Sequence, residues 1–424
     1  MVKSMANANT SLKMAALKKW KNIKWTLWLA SSLGLVISTF GQSPHNLKFT
    51  KIPVANRVSG IDIAIFDAGF KGAEGFPWFQ KIVSEGRLKG TYNLVNPKEG
   101  VYNYSDHGLK VLSIIEGDDS LFYGASPGAN YYLFVTEDVF TESRKEESYW
   151  AQAFEMADSL GVDIINSSLS YTEFDDSTQN YTHEELDGKT ALISKVARRA
   201  LNKDILLISS SGNYANDPWN HIGFPADADS ILTVGAIDSS GVITQFSSYG
   251  STVDGRVKPE IVAVGQHSFC YHAERGFGTS SGTSFSAPVI TGFAAQLLNF
   301  FPKSSKVEIW SAMLRSAQHY PNALEKYGYG VPNFDKAKQL LEKQELGKIQ
   351  LYPNPVKPGG YLSLTTTGFK GVKILDSRGR LLFDSKLSDG AKIEIPAYVE
   401  AGLYVVILSD LNGNIVSRLI QVES

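Results

Sequence analysis

Ile61-Asp62-Ile63-Ala64-Ile65-Phe66-Asp67-Ala68-Gly69 is an apolar strand pattern that stops abruptly on a carboxylate. Similar short apolar runs recur at residues 131–135, 162–166, 205–208 and 231–234. They are too evenly apolar for a sheet with one wet face and read as strands covered on both sides. Amphipathic helical patterns lie between them, at 146–160 and 191–202. Strands alternating with helices predict an α/β domain, a parallel sheet flanked by helices. In such sheets the carboxyl ends of the strands form the ligand crevice, which puts Asp67 at its edge. Taken alone, an Asp at a strand end serves equally well as a loop cap.

Beyond residue 347 the pattern changes. Strand-like segments follow one another at 361–367, 372–376, 381–385, 392–395, 403–409 and 415–422. No helical pattern intervenes, and Asn412-Gly413 is a strong two-residue hairpin cue. This predicts a small antiparallel β-sandwich. The charged helix 335–345 and residues 346–350 mark the boundary.

The 424 residues are 43% hydrophobic and 20% charged, an ordinary globular composition that excludes a disordered or polytopic membrane chain. Lys plus Arg number 41 against 43 Asp plus Glu, for a net charge of −2. There is none of the basic excess a nucleic-acid binder shows. The one cysteine, Cys270, excludes a disulfide framework and a cysteine-cluster zinc site. It is expected to be a small buried hydrophobe.

The first 24 residues carry Lys13, Lys18, Lys19, Lys21 and Lys24 and no acid, and residues 25–40 form an apolar run. At 16 residues this run is shorter than the ~20 needed to span a bilayer. The pattern is that of a secretory signal peptide over residues 1–41, cleaved near Gly41–Gln42, with Met5 or Met14 as alternative starts. The expected organisation is therefore a signal peptide at 1–41, an α/β domain at 42–345 and a β-sandwich at 346–424.

Three further segments carry chemistry. In Asp106-His107-Gly108, His107 opens an apolar-periodic helix bearing Val111, Leu112 and Ile115, and it is the only one of seven histidines followed by glycine. In Gly278-Thr279-Ser280-Ser281-Gly282-Thr283-Ser284-Phe285-Ser286-Ala287-Pro288, Gly282 allows a tight approach before Ser284. Pro288 suits the first turn of a following helix, and Ala287, Gly292, Ala294 and Ala295 let that helix pack closely. The strand at 205–208 leads to Gly212-Asn213. A histidine or serine at a helix start is often only a cap, but the Gly-Thr-Ser-x-Ser-Ala-Pro run is far more specific than a cap.

These residues resemble the subtilisin family of serine peptidases over roughly residues 58–340. The order Asp67, His107, Ser284 matches, as do spacings of 40 and 177 residues. The resemblance implies Ser284 as nucleophile, His107 as general base and then acid, and Asp67 as the group orienting the imidazole. It implies Asn213 as an oxyanion donor and Ser168, Leu169, Ser170, Gly212 and Gly223 as substrate contacts. Ser170 and Tyr171 replace the family's usual glycines, so their side chains narrow the cleft. Gly223, at the base of the primary specificity pocket, leaves that base open and favours a large P1 side chain. Tyr327–Asp335 resembles the closing segment of the catalytic domain and has a structural role. The 25 residues from Gln42 to Phe66 leave no room for the prodomain many secreted members carry, so folding is unassisted or helped by another segment.

No cofactor is required and no metal is assigned. Calcium sites are common in the family, and Asp118-Asp119 and Asp175-Asp176 could supply ligands, but paired acids in loops are usually just solvated, so a structural calcium is possible and not assignable. Leu351-Tyr352-Pro353-Asn354-Pro355, Gly402-Leu403-Tyr404 and Arg418 in the last strand resemble the C-terminal sorting domains of the type IX secretion system. The expected protein is an exported, monomeric endopeptidase, extracellular or on the cell surface. Its partners are polypeptide substrates and the secretion machinery.

Overall fold

The computed structural model describes residues 44–53, 56–365, 367–388, 392–411 and 415–423. The expected signal peptide and the Asn412-Gly413 turn lie outside them. Seven parallel strands form the main sheet: β1 (Asp62–Asp67), β2 (Leu88–Asn93), β3 (Asn130–Val135), β4 (Ile164–Ser167), β5 (Leu206–Ser210), β6 (Leu232–Ile237) and β7 (Ile261–Val264). Their order is β2-β3-β1-β4-β5-β6-β7. The chain leaves β1 to one side for β2 and β3, then returns to the other side for β4. β1 is thus the switch point of the sheet, where the carboxyl ends of strands open a crevice, and Asp67 is its last residue.

The sequence pattern yields five of these strands and misses two. β2 is an edge strand with alternating exposure and carries Lys89 and Gly90, so it shows no apolar run. β7 is a run of only four residues. An antiparallel hairpin, β8 (Ser268–His272) and β9 (Gly276–Ser280), was also unmarked. Cys270 lies in it, fully buried, and burial pushes its thiol up to about 11.

The helices are α1 (Pro44–Leu47), α2 (Pro77–Ser84), α3 (His107–Glu116), α4 (Lys145–Leu160), α5 (Leu192–Ala197), α6 (Thr283–Phe300), α7 (Lys306–Ser316) and α8 (Phe334–Lys348). The helix expected over 191–202 ends at Ala197, and a separate 3-10 turn covers Leu201–Lys203. α6 is buried from Thr283 through Leu298. A Cβ on its Gly292 would lie 2.2 Å from the Ala125 Cβ, so glycine sets how closely this helix packs.

α3 carries His107 at its first position and Glu116 at its last. Glu116 is fully buried and accepts from Arg87 Nη2 at 2.7 Å, from the Gly128 N–H at 2.9 Å and from the Tyr131 hydroxyl at 2.9 Å. This network pins the far end of the His107 helix to the start of β2 and to β3.

Seven further strands follow α8: β10 (Leu351–Tyr352), β11 (Tyr361–Leu364), β12 (Phe369–Leu375), β13 (Leu381–Lys386), β14 (Ile393–Glu394), β15 (Gly402–Asp410) and β16 (Ile415–Val422). They form an antiparallel three-stranded sheet, β10-β11-β14, and an antiparallel four-stranded sheet, β13-β12-β15-β16. Leu362, Ile374, Ile393, Val406, Leu408 and Ile420 fill the core between them. Arg418 donates to the carbonyls of Leu346 and Ile349 at 2.6 Å and of Gly347 at 3.0 Å. It thereby satisfies carbonyls that the end of α8 leaves without helical partners.

Removing one partner of a buried ion pair leaves the other charge stranded, at about 3–5 kcal/mol. Arg87→Met should lower the unfolding free energy by that amount in urea titrations. The Arg87→Met/Glu116→Leu pair should cost clearly less. Equal losses would show that the ion pair does not hold the helix end.

Candidate active site

His107 begins α3 because Gly108 lets the helix start against the turn after β1. The Gly108 N–H donates to the Gly69 carbonyl at 2.9 Å, and a Cβ at Gly108 would lie 2.6 Å from that oxygen. This is the physical reason for the glycine after this histidine. The His107 backbone N–H is taken by Ser105 Oγ at 3.1 Å.

His107 Nδ1 meets Asp67 Oδ1 at 2.8 Å and Oδ2 at 3.0 Å. The fully buried carboxylate also accepts from the Ala68 N–H at 2.8 Å. An ionised carboxylate only accepts, so it fixes the proton on Nδ1 and leaves Nε2 as the free base. Burial of the ring favours the neutral imidazole. The Asp67 charge and hydrogen bond outweigh that and raise His107 above its ordinary value.

Ser284 is the second residue of α6, and Pro288 is the sixth, a full turn deeper than its expected place in the first turn. A proline inside a helix costs about 3 kcal/mol relative to alanine, partly because it leaves the carbonyl four residues back without a donor. That carbonyl is the one on Ser284. Ser168 Oγ donates to it at 3.0 Å, and Ser284 Oγ donates in turn to the Ser168 carbonyl at 3.1 Å. Ser168 Oγ accepts from Asn166 Nδ2 at 3.0 Å, and Asn166 Oδ1 accepts from Thr291 Oγ1 at 2.8 Å. A buried chain of polar groups thus holds the Ser284 backbone. No hydrogen bond among the described residues joins Ser284 Oγ to His107. Their elements meet through Phe285, whose ring centroid is 5.5 Å from that of His107.

Asn213 follows β5, with Oδ1 accepting from the Thr283 N–H at 2.9 Å and from Thr283 Oγ1 at 3.1 Å. That fixes the amide and leaves Nδ2 as its free donor. Nδ2 lies beside Gly282, which adopts φ 153°. The Ser284 N–H has no acceptor among the described residues, as is usual for the first turn of a helix. It is a second donor at this point, which residue-by-residue reading passed over because a backbone group leaves no mark in sequence.

Asp67's neighbour Ala68, His107, Ser168, Leu169, Ser170, Gly212, Asn213 and Ser284 line one cleft of about 370 Å³. Gly223 stands behind it and does not open its base. A Cβ there would lie 2.0 Å from Ser170 Oγ and 3.0 Å from the Tyr214 ring. The glycine is present because the space is already filled. The expectation of an open pocket is therefore corrected.

Glu137, Glu142 and Glu146 form another wall of the cleft, which sequence reading did not single out. Burial, and then repulsion from Glu146, raise Glu137 to about 8, and burial raises Glu146 to about 7. Glu137 accepts from the Tyr171 hydroxyl and from Thr136 Oγ1.

The acidic pairs weighed for calcium are already committed. Asp118 is ion-paired with Arg57 and Lys81. Asp119 takes the Leu121 and Phe122 N–H groups and the Tyr271 hydroxyl. Asp176 binds Thr178 and Gln179, and Asp175 takes the Glu142 N–H. Among the described residues no group of three or more His, Cys, Asp or Glu side chains is placed to hold a metal ion.

A family model described as Subtilase family matches residues 59–330. One described as Secretion system C-terminal sorting domain matches residues 350–423. Subtilisin DY of Bacillus licheniformis is 25% identical over 234 residues, 55% of this chain and 77% of that protein. The membrane-bound transcription factor site-1 protease of Rattus norvegicus is 27% identical over 295 residues, 67% of this chain. The chain spans only 25% of the rat protein and 22% of Subtilisin-like protease SBT6.1 of Arabidopsis thaliana. The self-cleaved protease domain of PatA superposes with a TM-score of 0.53 at 24% identity, covering 68% of this chain and 99% of that one, which supports the fold. With a parallel sheet switching at Asp67, an Asp67–His107 couple, and a family match over well more than half its length, the chain belongs to the subtilase family.

Proposed function

We propose that the protein is an exported serine endopeptidase in which Ser284 is the nucleophile, His107 the base and Asp67 its orienting partner. The observation that carries this reading is the Asp67–His107 hydrogen bond at 2.8 Å, opening on the same cleft as Ser284 and the Asn213 amide. A serine hydroxyl is a weak nucleophile until a base takes its proton. Rotation about the Ser284 side chain exchanges the Ser168 carbonyl for His107 Nε2, and apo sites commonly tighten in this way only when substrate binds. Oγ then attacks the scissile carbonyl, and His107 receives the proton. The developing oxyanion is held by Asn213 Nδ2 and the Ser284 N–H. His107 returns the proton to the leaving amine, and water hydrolyses the acyl-enzyme.

A signal peptide at 1–41, a peptidase domain at 42–345 and a sorting domain at 346–424 join this proposal. In this reading the last domain directs the enzyme across an outer membrane, to the medium or the cell surface. Its four-stranded sheet exposes Leu403 and Leu419 on its outer face, an apolar surface suited to the secretion machinery.

A fluorophosphonate probe should label the purified protein, and labelling should vanish in Ser284→Ala. A folded wild-type protein that stays unlabelled would contradict the reading. Asn213→Ala should lower kcat by about 10²–10³.

The raised His107 sets the acid limb of kcat/KM, since only the neutral ring accepts the proton. That limb should fall above the ordinary imidazole value of about 6.5 and move down in Asp67→Asn. An unmoved limb would assign the ionisation elsewhere.

Glu137 gives a separate prediction for stability. It ionises at about 8 in the fold rather than near 4.5. Between those values the folded state keeps a proton that the unfolded chain has lost, so unfolding free energy declines as pH rises through this window. Glu137→Gln should flatten that decline, as followed by urea titrations across the window.

A further inference from the structure

Two backbone segments run side by side next to Ser284: Ser168-Leu169-Ser170 after β4, and the end of β5 leading to Asn213. On the proposed catalytic reading, a substrate places its scissile carbonyl between Ser284 Oγ and the Asn213 amide. The side chain of that residue, P1, then enters the gap between the two segments.

The gap is shallow. Tyr214 leaves one wall and donates its hydroxyl to the Ser170 carbonyl on the other at 2.9 Å. Its own backbone N–H is held by Ser248 Oγ at 2.9 Å. Its ring closes on both glycines of the recess, lying 2.7 Å from a Cβ built on Gly212 and 3.0 Å from one on Gly223. Ser170 Oγ fills the remaining space, buried and without a hydrogen-bond partner. Reciprocal backbone bonds between Tyr171 and Phe224, both 3.0 Å, tie the floor together and prevent the walls from parting.

We infer that Tyr214 is a specificity-determining residue that restricts P1 to small side chains, of the size of glycine, alanine or serine. A leucine or phenylalanine has to displace the half-buried ring and break its bond to Ser170. Forcing bulk into packed space of this kind costs roughly 10- to 100-fold in kcat/KM.

The test uses peptides that differ only at P1, with Ala, Ser, Leu or Phe, on the wild type, Tyr214→Ala and Tyr214→Phe. The wild type should favour Ala and Ser by roughly 10- to 100-fold. Tyr214→Ala should raise the Phe-to-Ala ratio by about tenfold or more, and Tyr214→Phe, which keeps the ring, should preserve the wild-type order. If Tyr214→Ala does not fold, Tyr214→Leu carries the same expectation. A wild type that labels at Ser284 and cleaves after Phe as well as after Ala overturns the inference and leaves the catalytic reading intact. A protein that does not label overturns the catalytic reading instead. The inference is then decided by dissociation constants of the same peptides on Ser284→Ala, where equal or tighter binding of the Phe peptide overturns it.

Discussion

A single missing hydrogen bond organises the surroundings of Ser284. Pro288 has no N–H to give the Ser284 carbonyl, so that carbonyl looks outside its own helix. Ser168 answers it, and Ser284 Oγ returns a bond to Ser168. The helix bearing Ser284 is therefore clamped to the segment that follows β4. The Asn166–Thr291 bond locks this clamp from behind, between β4 and the same helix. A break in helical regularity becomes the joint between the sheet and Ser284.

The same economy recurs around the cleft. Thr283 commits its N–H and hydroxyl to Asn213 Oδ1, which fixes the amide so that, in the proposed reaction, Nδ2 faces the developing negative charge. Donors fixed before reaction need no reorganisation during it, and this is why such groups are worth several kcal/mol in a transition state. Asp67 does the corresponding work for His107. It stands at the switch point of the sheet, where topology leaves a crevice whatever the chemistry that occupies it.

Asp67, His107, Ser284 and Asn213 were legible in sequence because each sits at the end of a strand or the start of a helix, where local pattern and function coincide. β2 was not legible, because an edge strand needs no apolar run. The pocket floor was misjudged for a different reason. Gly223 alone suggests empty space, but the volume belongs to Tyr214 and Ser170, which arrive from two other segments. Glu137 and Glu146 were passed over because nothing local reveals that a carboxylate in the loop after β3, or one in the first turn of α4, will be drawn into the cleft that His107 lines.

The central claim is that Ser284 forms a covalent acyl intermediate under the control of His107. The most direct measurement is mass spectrometry of protein quenched in acid while it turns over a slowly deacylating peptide ester. The account predicts one acyl group on the peptide containing Ser284, absent in both Ser284→Ala and His107→Ala. Turnover with no adduct, or an adduct on another residue, would contradict it.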